Sequence, residues 1–186
     1  MKGRRRFWVL GSLILLWLGG GIAQGREEIW VLVDTEALQL QVMRGEKPVE
    51  VFAHIAIGRA GTAREKVRGD NKTPLGSFRI GWIKENSRYH RFFGLNYPTL
   101  PYAKVGWNHG VLDDSTFRSL IRAHFEESVP PQNTPLGGFI GIHGLGRADP
   151  KIHEMFNWTR GCIALTDAQI DRLSHWIGVG TAVIIR

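Results

Sequence analysis

The chain has 186 residues, with 24 Lys plus Arg, 17 Asp plus Glu, seven His and a single Cys. At 43% hydrophobic residues it carries enough apolar material for one ordinary domain, and one cysteine excludes both an internal disulfide framework and a cysteine-rich metal cage. The formal charge of +7 overstates the basicity: residues 1–23 hold four of the positive charges and no acidic one, so the remainder has 20 basic against 17 acidic residues, a net +3 that gives no argument for nucleic acid.

Lys2, Arg4, Arg5 and Arg6 precede an uncharged, mostly apolar run from Phe7 to Ala23, and Gly21-Ile22-Ala23 offers the small residues a signal peptidase requires. The expectation is an export signal over residues 1–23, either cleaved or kept as an N-terminal anchor. Membrane contact is expected only through an uncleaved leader. No cysteine follows the run to accept a lipid.

Glu28 to Asp34, Leu38 to Val42 and Val49 to Ile57 read as three strands, with Arg44-Gly45-Glu46-Lys47-Pro48 as a turn, so the domain is expected to open with an antiparallel meander. Residues 59–77 read as a glycine-rich charged loop before a short strand at Ser77 to Trp82. Residues 84–110 read as a second loop. Its Arg88, Tyr89, His90, Asn96, Tyr97, Trp107 and His109 suit a cleft wall or a surface loop pinned by aromatic packing equally well.

Asp113 to Thr116 can cap a helix running to about Glu127, with Phe117, Leu120, Ile121, His124 and Phe125 as its apolar stripe. Phe139 to His143 and Cys162 to Leu165 read as short strands. Thr166 and Gln169 form a capping box for a last helix that buries Ile170, Leu173 and Ile177, and Val179 to Arg186 closes the chain as a strand. The fold class expected is mainly β: a curved or partly closed mixed sheet, sandwich or barrel, with one or two packed helices.

Cys162 lies in Asn157-Trp158-Thr159-Arg160-Gly161-Cys162-Ile163-Ala164-Leu165, nineteen residues after His143 in Ile142-His143-Gly144. A cysteine thiol with a histidine base is a nucleophilic pair, and a glycine before the cysteine permits a turn that exposes amide N–H groups to a developing oxyanion. On composition and spacing alone, that reading and a buried core thiol with a core histidine stand about even. On strand alternation His143 shares a face with Gly141, which leaves room for a ligand or another side chain. Neither His143 with His153 nor His90 with His109 matches a compact zinc spacing, and no glycine-rich nucleotide loop joins a strand to a helix, so no metal and no cofactor is expected.

From about Glu28 to Arg186 the chain resembles the L,D-transpeptidase catalytic domain, also called YkuD. Four pieces carry the resemblance: the opening meander ending at Ile57-Gly58, Asp70-Asn71-Lys72-Thr73-Pro74-Leu75-Gly76-Ser77-Phe78, Ile142-His143-Gly144, and Thr159 to Leu165. The resemblance implies a catalytic domain over residues 28–186. It implies Cys162 as nucleophile, His143 as base oriented by the Gly144 backbone carbonyl, and Gly161 in the oxyanion turn. It also implies Arg88, Tyr89, His90, Thr159 and Arg160 as substrate-binding residues. Arg160 and Ala164 depart from the family, which commonly has histidine and arginine there. Trp158 to Leu165, Ser87-Arg88-Tyr89-His90 and Gly94-Leu95-Asn96-Tyr97-Pro98 resemble a divergent Gram-negative subgroup, some of whose members resemble hydrolases that detach an envelope lipoprotein from peptidoglycan.

The activity implied is transpeptidation of peptidoglycan stem peptides through a thioester, in the periplasm or cell envelope. Hydrolysis of peptidoglycan cross-links or peptidoglycan–protein links is the alternative, with a peptidoglycan-linked envelope protein as a further partner. A non-enzymatic envelope-binding domain is the reading from a different class, and it requires an inaccessible Cys162 or a thiol far from His143.

Overall fold

The computed structural model describes residues 28–186, so the expected export signal lies outside the described residues. Three strands open the domain: β1 (Ile29–Asp34), β2 (Gln39–Arg44) and β3 (Lys47–Ala53). They pair antiparallel in sequence order, as connections too short for a crossover require. Val31 and Val33 of β1, Leu40 and Val42 of β2 and Phe52 of β3 all enter the core. β3 is an edge strand carrying Lys47, Pro48 and Glu50, with Val49 and Val51 exposed.

The sheet has eight strands. β6 (Gly76–Ser87), β7 (His90–Leu95), β8 (Gly141–His143), β9 (Ile163–Ala164) and β10 (Ala182–Ile185) complete the order β3-β2-β1-β10-β6-β7-β8-β9. β10 runs parallel to β1 and β9 parallel to β8; the other neighbours are antiparallel. Two further strands, β4 (Thr62–Ala63) and β5 (Thr73–Pro74), form a parallel pair of their own.

Two expectations are corrected here. The sheet is open, neither a barrel nor partly closed, because its terminal strands β3 and β9 do not pair with one another. Only the chain beyond β3 meets β9, through the single bridge of Ala56 with Ala164. Closure needs two full edges to zip together, and β9 offers two residues.

The described residues also contain four helices rather than one or two: α1 (Leu100–Asn108), α2 (Asp114–Phe125), α3 (Pro150–Met155) and α4 (Asp167–Leu173). α1 and β7 occupy the stretch expected to be a loop. α1 is short, contains Pro101 and Gly106, and its Thr99 N-cap makes no side-chain cap bond, so its sequence carries little helical signal. α3 is six residues, but Asp149 before Pro150 is a readable start: the Asp149 carboxylate accepts the Lys151 N–H, and proline is at home in the first turn.

The other two helices fall where expected. Asp113 caps α2 by accepting the Thr116 N–H, and Leu120 faces the core while Phe125 is exposed at the helix end. Thr166 and Gln169 form the capping box of α4, and Ile170 and Leu173 are buried.

Candidate active site

Parallel pairing of β8 with β9 sets Ile142 opposite Ile163 and His143 opposite Ala164. Cys162, one residue before β9, therefore stands at the register position of Gly141, and alternation turns Cys162 to the same face as His143. The space beside His143 that Gly141 leaves is filled: a Cβ on Gly141 would stand 2.5 Å from Cζ of Phe92.

His143 is buried in an aromatic box. The Tyr89 ring stacks on it at 4.3 Å between centroids and 23° between planes, Phe92 lies nearly parallel at 6.1 Å, and Trp158 meets it edge-on at 5.9 Å. Nδ1 lies 2.7 Å from the Gly144 carbonyl oxygen. A carbonyl only accepts, so Nδ1 carries the proton and Nε2 presents a lone pair. Nε2 has no hydrogen-bond partner among the described residues. Burial pushes the imidazole down to about 4, against the Gly144 bond and with help from the charge of Arg88, so His143 is neutral at pH 7.

The loop after His143 is held from α4. Oδ1 of Asp167 accepts the Leu145 N–H at 2.7 Å and the Gly146 N–H at 3.0 Å, and it lies 2.5 Å from where a Gly144 Cβ would stand. Only glycine fits at 144, and the Gly144 carbonyl is thereby fixed against Nδ1. Asp167 is a site residue that the sequence reading missed. It sits in the first turn of α4, beside the Thr166 cap.

Cys162 is half-buried, and its thiol donates to the Phe139 carbonyl at 3.4 Å. Burial pushes the thiol up to about 11, opposed by a main-chain hydrogen bond from Gly141 and by the charges of Lys66 and Arg88. At neutral pH the pair is a thiol and a neutral imidazole, not a preformed ion pair.

The turn that carries the cysteine is tightly specified. Gly161 has φ +124°, and a Cβ there would lie 2.6 Å from the Lys72 carbonyl oxygen. Thr159 Oγ1 donates to the Cys162 carbonyl at 2.7 Å and accepts the Gly161 N–H at 3.1 Å. The Gly161 N–H is thus engaged, whereas the Cys162 N–H donates to no group among the described residues.

The remaining residues singled out from sequence divide. Arg88 lies over the Tyr89 ring at 4.6 Å and donates to its hydroxyl, extending the stack outward from His143 to an exposed guanidinium. His90 turns away to Asp171 of α4 at 2.8 Å. Thr159 is buried inside the cysteine turn, and Arg160 is exposed with no ion-pair partner among the described residues. Of the other residues in the supposed loop, Tyr97 is buried, Trp107 stacks on Phe117 between α1 and α2, and His109 faces Glu65.

A cavity of about 760 Å³ lies elsewhere. It is bounded by β6, β10, α1 and α2, with Phe78, Ile80, Leu120, Ala123 and Val179 in its lining, and contains neither Cys162 nor His143. Among the described residues no group of three or more His, Cys, Asp or Glu is placed to hold a metal ion, and no helix is long and apolar enough to cross a membrane.

The open mixed sheet sets a half-buried cysteine on the same face as a histidine tied to its own loop carbonyl. The L,D-transpeptidase catalytic domain (YkuD) matches residues 28–185, and the chain belongs to that family of enzymes.

Among solved structures the chain is similar to the helical cell shape determining protein Pgp2 from Campylobacter jejuni, at 22% identity and a TM-score of 0.57, over 86% of this chain and 47% of that one. It is similar to Bd1075 from Bdellovibrio bacteriovorus, at 21% identity and 0.53, over 87% and 48%. A cysteine-to-serine variant of L,D-transpeptidase from Enterococcus faecium matches at 12% identity and 0.51, over 87% and 50%. The chain therefore spans about half the length of these structures, and at such identities the likeness is one of fold. No curated protein sequence matches the chain.

Proposed function

We propose that the chain is an exported enzyme that acts on peptidoglycan stem peptides in the periplasm or cell envelope, with Cys162 as nucleophile and His143 as general base, and that its reaction is L,D-transpeptidation. The observation that carries this reading is the tautomer of His143. Its Nδ1–H is committed to the Gly144 carbonyl, which leaves the Nε2 lone pair free on the face that Cys162 shares.

The mechanism follows from that geometry. Nε2 takes the Cys162 proton as Sγ attacks the carbonyl of the diamino-acid residue that precedes a terminal D-alanine. The oxyanion that forms faces the unengaged Cys162 N–H, on a turn held by Gly161 and Thr159. Collapse breaks the C–N bond, the amine of D-alanine leaves with the proton from the His143 imidazolium, and a thioester remains. An acceptor amine then attacks the thioester, gives its proton to Nε2, and displaces the Cys162 thiolate, which is reprotonated. Water in place of the amine makes the second step hydrolysis. The exposed guanidiniums of Arg88 and Arg160 suit carboxylates of the stem peptide.

The test incubates the full chain and its Cys162→Ala variant with defined muropeptides, a separate amine acceptor and protein-linked peptidoglycan, and reads products by intact mass. The expected result is acceptor incorporation by the cysteine form alone. Release of peptide or linked protein without incorporation replaces transpeptidation by hydrolysis. Identical products from both forms overturn the assignment of Cys162 and favour an envelope-binding domain.

A further inference from the structure

The segment joining β4 to β5 contains a lysine that the mechanism above leaves unused. Lys66 is 4% exposed, a burial that lysine rarely adopts unless its charge is paired. The partner is Asp70, with Nζ 2.5 Å from Oδ1. Burying two ions costs more than their attraction returns unless further hydrogen bonds satisfy them, so stability alone is a weak reason for such a pair. Asp70 does have those bonds: Oδ1 also accepts the Lys72 N–H at 3.0 Å, and Oδ2 accepts the Val67 N–H at 3.0 Å. One carboxylate thus locks residues 66–72 into a single turn.

That turn meets both supports of Cys162. The Lys72 carbonyl occupies the place where Gly161 cannot carry a Cβ. On the other side the Arg68 N–H donates to the Pro135 carbonyl and its guanidinium to the Thr134 carbonyl, and the chain from there reaches Phe139, whose carbonyl accepts the thiol.

Lys66, from this turn, and Arg88, from the turn between β6 and β7, lie near enough for their charges to act on the thiol, and His143 shares its face from β8. Lys66 itself faces Asp70 on its own segment. The carboxylate in turn lies close enough to the buried Tyr97 and Tyr102 hydroxyls to help keep them protonated.

We propose that Lys66, fixed by Asp70, is a positioning residue whose ammonium stabilises the negative charge that forms on Cys162 Sγ as its proton leaves. The proposal rests on Cys162 being the nucleophile. Because the resting site holds a neutral thiol and a neutral imidazole, sulfur carries charge only during reaction, and a fixed cation in water-poor surroundings acts at that moment without reorganising.

The experiment follows alkylation of Cys162 by iodoacetamide between pH 7 and 9.5 in the full chain and in Lys66→Met, Lys66→Arg and Asp70→Asn, with the fold of each checked by circular dichroism. Lys66→Met is expected to shift the rate profile about one pH unit upward, so that alkylation at a given pH slows about tenfold. Lys66→Arg keeps the native profile. Asp70→Asn keeps the cation and an Oδ1 that still accepts from Lys66 and from the Lys72 N–H, removes only the negative charge that offsets the ammonium, and does not slow alkylation. A packing role would slow Lys66→Met and Asp70→Asn together.

A folded Lys66→Met with the native profile, or an Asp70→Asn slowed about tenfold, overturns the proposal. If Lys66→Met does not fold, the other two variants decide: native or faster alkylation in both supports the assignment, and slower alkylation in either overturns it. Turnover of muropeptides retained by Cys162→Ala would remove the nucleophile reading while leaving the alkylation result to stand by itself.

Discussion

The two ends of the sheet are built on different terms. From β3 to β10 the strands pair over four to six residues, and Val31, Val33, Leu40, Val42, Phe52, Val183 and Ile185 fill the core between them. From β7 to β9 the ladders shrink to three pairs and then two, and order comes from single polar contacts: Asp167 on the loop after His143, Thr159 across the cysteine turn, Asp70 on the turn beneath it. One end is held by apolar area along long ladders. The other shares that core through Phe93, Leu95, Ile142, Ile163 and Leu165, but its loops are fixed by hydrogen bonds with one geometry each, which is what a reacting pair needs.

That contrast can be broken by substitution, and the largest effect belongs to the chemical end. His143→Gln is expected to lower turnover by about 10²- to 10⁴-fold through loss of the general base, with thermal unfolding near that of the native chain; steady-state kinetics beside a melting curve check it. Leu40→Ala reverses the pattern. Full burial in β2 predicts a loss of about 2–5 kcal/mol in a urea titration, with turnover per folded molecule unchanged.

Acid sharpens the contrast. His143 is ordinarily protonated below 6.5 but in the fold only below about 4. The unfolded chain therefore binds the extra proton first, and stability that is present above pH 6.5 is lost as pH falls towards 4. A shift of this size corresponds to about 3 kcal/mol, to be read as the difference in pH slope between the native chain and His143→Gln. The kcat/KM profile is expected to fall through the same pH near 4. Gly161→Ala gives the smallest change: a residue forced to hold φ +124° against the Lys72 carbonyl costs about 1–3 kcal/mol, with turnover falling further than stability.

The legibility of the sequence follows the same division. The meander could be read because alternation of Leu40 and Val42 is a physical consequence of one buried face, and α4 because Thr166 and Gln169 satisfy each other's backbone groups. Cys162 could be singled out because it is the chain's one cysteine, and His143, one of seven histidines, because Ile142-His143-Gly144 resembles the family. α1 could not, since its short turns and Pro101 blur the helical period, nor could β7 inside the same stretch. The open edge was not readable because closure depends on which strands meet in space. Lys66, Asp70 and Asp167 stayed hidden for a related reason: a charged residue in a charged loop looks solvated, and only tertiary packing makes it buried or brings its carboxylate to a distant amide. His90 shows the converse, a residue with suitable chemistry whose strand turns it to Asp171.

The central claim is that Cys162 forms a covalent acyl intermediate, and the most direct measurement is intact mass of the chain quenched in acid during turnover of a stem tetrapeptide. The account predicts an added acyl mass, equal to the tetrapeptide less its terminal D-alanine, located on the Cys162 peptide and lost on treatment with hydroxylamine. Turnover with no added mass at any quench time, or with the acyl group on another residue, would contradict it.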